Sequence, residues 1–215
     1  MKYAGKGFFL SFEGIEGCGK STHAALFKEW LEGNKVPVLL SREPGGTVIS
    51  EGIRRILLDP QNTSMDHRTE LLLYLASRSQ VVRERIKPAL DRGMIVLVDR
   101  YVDSTLAYQG YGRGLDMEDI RRMNAFASRG LVPDLTFLLD LDPDVGFSRK
   151  EKAGETATKR DRIEREGPSF HRKIREGFLS IAAGDPGRIV IVRSDREIDK
   201  VQQEIRGLFT GRFGD

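Results

Sequence analysis

The sequence predicts an α/β fold, a doubly wound five-stranded parallel sheet with helices on both faces. Three observations carry that expectation. Five short runs are almost continuously apolar, as strands covered on both sides must be. Between them lie stretches with helical periodicity and recognisable start and stop residues. No repeat or low-complexity linker divides the series, and only one segment departs in composition.

The elements follow in order. The first strand is expected over 8–13, around "FFLSF", and the next stretch places Ala24, Phe27 and Leu31 at helical spacing before Gly33 ends it. "VPVLLS" (36–41) reads as the second strand, after which Ser50 precedes "EGIRRILL" as a helix start and Asp59-Pro60 stops it. "ELLLYLASRSQVVRERI" (70–86) keeps a helical period up to the third strand, "MIVLVD" (94–99). Asp116 caps a helix over 117–128, "LTFLLDL" (135–141) is the fourth strand, Asp142-Pro143 opens another helix, and "RIVIVR" (188–193) is the fifth strand.

The bulk numbers narrow the function class. A chain of 215 residues suits a single domain with a small mobile insertion. With 35 Lys+Arg against 32 Asp+Glu the net charge is +3, too mild for a nucleic-acid footprint. Cys18 is the sole cysteine and has no partner for an intramolecular disulfide, so a reducing, cytoplasmic setting is expected. No apolar run approaches the ~18 residues of a membrane span, and neither secretion nor membrane insertion is expected.

The chemistry starts at "GIEGCGKST" (14–22), where Gly14-x-x-x-x-Gly19-Lys20-Ser21 fits the phosphate-binding loop at every specified position. Glycines let successive backbone N–H groups turn inward as a nest for phosphate oxygens. Lys20 then reaches the outer phosphates, Ser21 takes a place on Mg²⁺, and the following helix points its N-terminus at the anion. In an open α/β sheet, ligands sit beyond the carboxyl ends of the strands. Those ends carry the loop itself, "REPGGT" (42–47), "DRY" (99–101), and Asp140 with Asp142.

Phosphate loops serve kinases, GTPases, motors and transporters alike. The guanine-reading Asn-Lys-x-Asp is absent, and the chain is short for a motor or transport assembly. A small kinase needs a metal support, cations for an acceptor phosphate and a lid. Asp99 suits the metal network, and Arg100 in the same dipeptide suits an acceptor phosphate. Tyr74 and Arg78, four apart on one helix face, fit a flat base by stacking and a hydrogen-bonding fork; a core tyrosine beside a snorkelling arginine fits the same spacing. "RKEKAGETATKRDRIEREG" (149–167) holds seven cations and few large apolar residues, which suits a mobile lid closing on donor phosphates. Two other readings stay open on the residues alone: a kinase for another nucleotide or a deoxynucleoside, and a regulatory nucleotide-binding protein.

Together these motifs resemble the thymidylate kinase family. "FEGIEGCGKST" resembles its phosphate loop, "REPGGT" its second-strand loop, "DRYVDSTLAYQG" (99–110) its third-strand signature and "DRIE" (161–164) the end of its lid. The third-strand signature separates it from adenylate, guanylate and cytidylate kinases, which share the loop and general fold. The resemblance implies a P-loop NTPase fold of nucleoside monophosphate kinase type with a small mobile lid over 149–167. It also implies transfer of the ATP γ-phosphoryl to dTMP, giving dTDP and ADP, with Mg²⁺ required.

By the same resemblance, Gly14, Ile15, Glu16, Gly17, Cys18, Gly19, Lys20, Ser21, Thr22 and Arg149 attend ATP, with Ser21 and Asp99 in the metal network. Glu16 meets the deoxyribose 3′-hydroxyl, Glu43 and Pro44 belong to the acceptor loop, and Arg100 grips the dTMP phosphate. Tyr74 stacks on thymine and Arg78 reaches a thymine carbonyl. Ser104, Thr105, Tyr108 and Gln109 line the base and sugar pocket, where the Tyr108 ring crowds a 2′-hydroxyl. The family places a catalytic arginine in the loop or in the lid. This loop has none, so the lid is expected to supply it through Arg149 and Arg160, joining Lys20 and Arg100 as catalytic residues. The lid is longer than the family pattern, with Lys152, Lys159 and Arg160 in an unfamiliar register, and Phe178 stands where tyrosine is usual. A homodimer formed by helix packing away from the site is also implied.

Overall fold

A computed structural model of the chain describes residues 7–152, 154 and 160–213. All five expected strands form, as β1 (Phe9–Glu13), β2 (Val38–Arg42), β3 (Ile95–Asp99), β4 (Leu135–Asp140) and β5 (Ile189–Arg193). They pair in parallel in the order β2-β3-β1-β4-β5. Register is fixed by burial on both faces: Phe12 of β1 lies opposite Asp99 of β3 and Phe137 of β4. Leu10 and Phe12 point to one face and pack with α1 (Lys20–Gly33) and α9 (Ile198–Phe213) through Phe27, Leu31, Ile205 and Phe209. Phe9 points to the other, against Val96, Val98 and Tyr101. Because β1 is central and the chain runs first to one side and then to the other, the crevice beyond its carboxyl end is the switch point.

Helix boundaries depart from expectation in two places. The helix expected from Ser50 is α2 (Val48–Leu58), beginning earlier because extended Thr47 is the cap: its Oγ1 accepts the Ser50 N–H at 3.1 Å. Ser50 is instead buried, with its hydroxyl donated to the Ser77 carbonyl at 2.9 Å. The helix over 70–86 begins earlier as α3 (His67–Val81), because Asp66 accepts the Arg68 and Thr69 N–H groups. It then widens into a π-helical turn (Val82–Ile86) and leads into α4 (Lys87–Asp91). The turn closes with a longer-period bond from Lys87 N–H to Val82 O, directly before Pro88, which has no N–H to donate.

After β3 come α5 (Val102–Thr105), a second π-helical stretch (Leu106–Gly112) and α6 (Met117–Ser128), capped by Asp116 as expected. The helix opened at Asp142-Pro143 is α7 (Pro143–Lys152), and α8 (Pro168–Gly184) follows the expected lid segment. Of the lid residues singled out in the sequence, Lys159 lies outside the described residues. Among the described residues, no helix is long and apolar enough to cross a membrane.

Candidate active site

The phosphate loop runs from the end of β1 to the first residue of α1, and its path demands glycine at two close approaches. A Cβ on Gly17, at φ +74°, would meet the Gly146 carbonyl at 2.3 Å. One on Gly14, at φ +135°, would meet the Leu139 carbonyl at 2.5 Å. Ile15 and Cys18 point into the core, and burial pushes the Cys18 thiol pKa up. Lys20 curls over the loop, with Nζ donated to the Ile15 carbonyl at 2.7 Å. Ser21 donates its hydroxyl to Asp99 Oδ2, while Asp99 Oδ1 is buried without a hydrogen-bond partner among the described residues.

Arg100 sits in the left-handed region at φ +71°, unusual for a residue with a Cβ. The turn is held by Glu13, whose Oε1 accepts the Tyr101 N–H at 2.7 Å and whose Oε2 accepts the Ser104 hydroxyl at 2.5 Å. Burial, with Asp103 adding to it, pushes the Glu13 pKa up to about 7. The Arg100 guanidinium lies 4.9 Å from the Tyr108 ring centre and donates to Glu16 Oε1 at 2.8 Å and to the Gly14 carbonyl at 3.1 Å. Glu16 also accepts the Tyr108 hydroxyl at 2.7 Å and faces His171 Nδ1 at 3.4 Å. Burial opposes its charge, but Arg100, His171 and Lys20 outweigh burial and hold its carboxyl well below the usual range.

At the far end Tyr74 is half-buried and Arg78 is 1% exposed. Arg78 Nε donates to Glu43 Oε2 at 2.8 Å, and Nη1 is shared between Thr105 Oγ1 at 2.8 Å and Asn124 Oδ1 at 2.5 Å. Nη2 makes no hydrogen bond to the described residues. Burial pushes the Glu43 pKa up to about 7 against the pull of Arg78, and Glu43 Oε1 has no partner among the described residues.

One cavity of about 260 Å³ joins these parts. Its walls bring together Glu16, Gly17, Lys20 and Ser21 from the loop, Glu43 and Pro44 after β2, and Tyr74 with Arg78 on α3. Asp99, Arg100, Ser104, Thr105, Tyr108 and Gln109 complete that set. The remaining loop residues Gly14, Ile15, Cys18, Gly19 and Thr22 lie off the wall. So do both lid arginines. Arg149 Nη2 donates to the Ser194 carbonyl after β5 at 2.9 Å, and Arg160 pairs with Glu151 at 2.8 Å over the Phe147 ring.

Sequence reasoning missed several wall residues: Arg54, which donates to the Pro44 carbonyl at 2.9 Å, and Lys150, Asp161, Ile163 and Glu164 from the lid ends. Lys150 and Glu164 pair with each other, and Arg162 Nε donates to the Leu57 carbonyl at 2.9 Å. Lys150 and Arg162 thus make contacts within the lid and toward α2 and α3. Phe178 packs edge-on against Tyr108, 6.1 Å between ring centres, so the missing hydroxyl leaves an apolar contact.

The thymidylate kinase family profile matches residues 12–205. A thymidylate kinase from Carboxydothermus hydrogenoformans is 46% identical over 209 residues, covering 97% of this chain and 100% of that protein. One from Clostridium novyi is 43% identical over 202 residues, covering 94% and 98%. The crystal structure of thymidylate kinase from Ehrlichia chaffeensis superposes with a TM-score of 0.76 at 33% identity, covering 95% of this chain and 99% of that one. A profile match running from β1 into α9, with relatives and a solved structure aligned over nearly the same span, shows that the chain belongs to the thymidylate kinase family.

Proposed function

We propose that this protein transfers the γ-phosphoryl group of ATP to dTMP, giving dTDP and ADP for dTTP biosynthesis. The observation that carries the reading is the single cavity in which a phosphate loop, an Asp99–Arg100 corner and a base-sized end with Tyr74 and Arg78 face one another. ATP phosphates lie on the loop, where the nest and Lys20 take up their charge. Arg100 exchanges Glu16 for the dTMP phosphate, and Tyr108 behind it crowds a 2′-hydroxyl. Direct in-line transfer then needs no covalent intermediate, so positioning and charge neutralisation do the catalysis.

The residues present fit Mg²⁺. Asp99 Oδ1 is a buried oxygen without a hydrogen-bond partner among the described residues, and Ser21 Oγ lies beside the same carboxylate. Bound there, Mg²⁺ would be held by Ser21 and, through its waters, by Asp99, and would neutralise donor-phosphate charge.

We further propose that the chain acts as one domain with 149–167 as its lid. Closure of the lid would carry Arg149 and Arg160 from their present partners to the transferred group. Exposed apolar side chains on α2, α3 and α6, with Val48 and Phe126 each 88% exposed, support a homodimer packed through helices. The lone, buried Cys18 is consistent with work in the cytoplasm. A coupled ADP-release assay with ATP and Mg²⁺ against dTMP, dUMP, UMP, AMP, GMP, CMP and thymidine tests the reading. Strong preference for dTMP supports it, and preference for another acceptor overturns it.

A further inference from the structure

A buried carboxylate beside the base end of the cavity has a use that the phosphate chemistry does not claim. Glu70 on α3 is fully enclosed, one helical turn before Tyr74 and two before Arg78. Arg113 grips it with Nε on Oε1 at 3.2 Å and Nη2 on Oε2 at 3.1 Å. Arg162 Nη2 comes to 2.6 Å from Oε2, off the hydrogen-bonding direction, so it adds charge more than a directed bond. The remaining donor is Gln109, whose Nε2 lies 2.9 Å from Glu70 Oε1.

Burial works against the Glu70 charge, but Arg113, Gln109 and Arg162 outweigh it and hold the carboxyl below its ordinary range. An ionised carboxylate only accepts hydrogen bonds, so it takes the amide nitrogen of Gln109 and refuses the amide oxygen. The orientation of that amide is thereby settled. Gln109 lines the cavity, and its Oε1 makes no hydrogen bond to the described residues.

We infer that Glu70 is a specificity-determining positioning residue: by holding the Gln109 amide nitrogen it leaves the amide oxygen as a fixed acceptor for the cavity, selecting a pyrimidine with N–H at ring position 3. The inference rests on the proposal that this cavity takes a pyrimidine nucleotide. Thymine and uracil carry that N–H. Cytosine carries a bare nitrogen there, whose lone pair would face the amide oxygen and leave both acceptors unpaired. Glu70 touches no substrate; it acts through Gln109.

The test compares kcat/KM for dTMP with that for 5-methyl-dCMP, an acceptor of the same shape with a 4-amino group and a bare ring nitrogen. The unaltered protein is expected to prefer dTMP by about a thousandfold or more. In Glu70→Gln, residue 70 can donate as well as accept, so the Gln109 amide is free to turn. The preference should fall by about tenfold or more while the ATP KM stays put, and Arg78, a donor in either case, keeps some of it. General loss of structure would lower both acceptors together and leave their ratio unchanged.

Should Glu70→Gln fail to fold with two arginines uncompensated, Glu70→Asp keeps the charge but draws the carboxylate back from Gln109, and the same fall in ratio is expected. An unchanged ratio in a folded variant overturns the role of Glu70. An unaltered protein that ignores dTMP overturns the acceptor reading itself, and it does so before any substitution is made.

Discussion

Replacing Arg78 should separate the structural duty of its buried contacts from the base-reading duty proposed for it. Arg78 is enclosed with Glu43, Thr105 and Asn124 as partners, and its guanidinium carbon lies 5.1 Å from the Tyr101 ring centre. Arg78→Met leaves Glu43 as a buried carboxyl without its cation, a change that costs ~3–5 kcal/mol. For a chain of this size that is a fall in Tm of roughly 10 °C. The cost depends on pH. Glu43 titrates at about 7 with Arg78 in place, and losing the cation moves it higher, so the variant takes up a proton and suffers less at pH 6 than at pH 8.

Arg78→Met combined with Glu43→Gln removes the orphaned charge and should regain most of the Tm. The same double variant should still show a dTMP KM raised by about tenfold or more, because a charge-assisted bond to the base is gone. Thermal melts at pH 6 and 8, with acceptor titrations at saturating ATP, measure both effects. If the double variant regains the dTMP KM along with the Tm, Arg78 is a structural post and has no place in base recognition. A single variant with unchanged Tm would refute the buried-pair argument.

Other expectations follow from the same geometry. Lys20→Ala and Arg100→Ala should each lower kcat/KM by about a hundredfold or more with the fold retained by circular dichroism, since each removes charge from a site where neutralisation is the main source of rate; near-normal turnover in either would count against the assignment. Glu13 and Glu43 both titrate at about 7, above their unfolded values, so the native state binds the extra protons. Their contribution to stability is therefore full below about pH 4.5 and is lost as pH rises to about 7, and Glu43→Gln should flatten part of that slope in denaturant titrations. Gly17→Ala should abolish ATP binding in a calorimetric titration, because its Cβ would sit 2.3 Å from the Gly146 carbonyl at a positive φ. Phe126→Glu should halve the mass seen by light scattering at equal kcat/KM if the exposed helix faces form the dimer.

The sheet was readable because strands buried on both faces leave uninterrupted apolar runs, and each of the five formed where such a run lay. The loop and the "DRY" corner were readable for a related reason: a nest, a lysine and a metal-side carboxylate need fixed spacing along the chain. Thr47 escaped notice as a cap because Ser50 looked equally suited, and only burial under Ser77 distinguishes them. The π-helical turns after α3 and α5 follow a period that apolar spacing does not record.

The cluster around Glu70 was invisible for another reason. Its members, at 70, 109, 113 and 162, meet only after α3, the stretch following α5 and the lid end have been brought together. Arg78 shows the limit of helical spacing as evidence. Four residues from Tyr74, it lines the cavity as expected, yet its hydrogen bonds go to the protein side chains Glu43, Thr105 and Asn124.

The bond between Arg100 and Glu16 gives the site a counterion of its own. A cation that would otherwise recruit any passing anion is already neutralised, so a chloride or a free carboxylate gains little by entering. Only a ligand with more charge than one carboxylate, delivered at the same spot, can take the arginine away. On the function proposed above, thymidine would bring no such charge and would leave the pair closed, whereas a phosphate monoester in its doubly ionised form would open it. On that reading the site would register a phosphate as an exchange of partners, and affinity for the acceptor should follow the second ionisation of that phosphate.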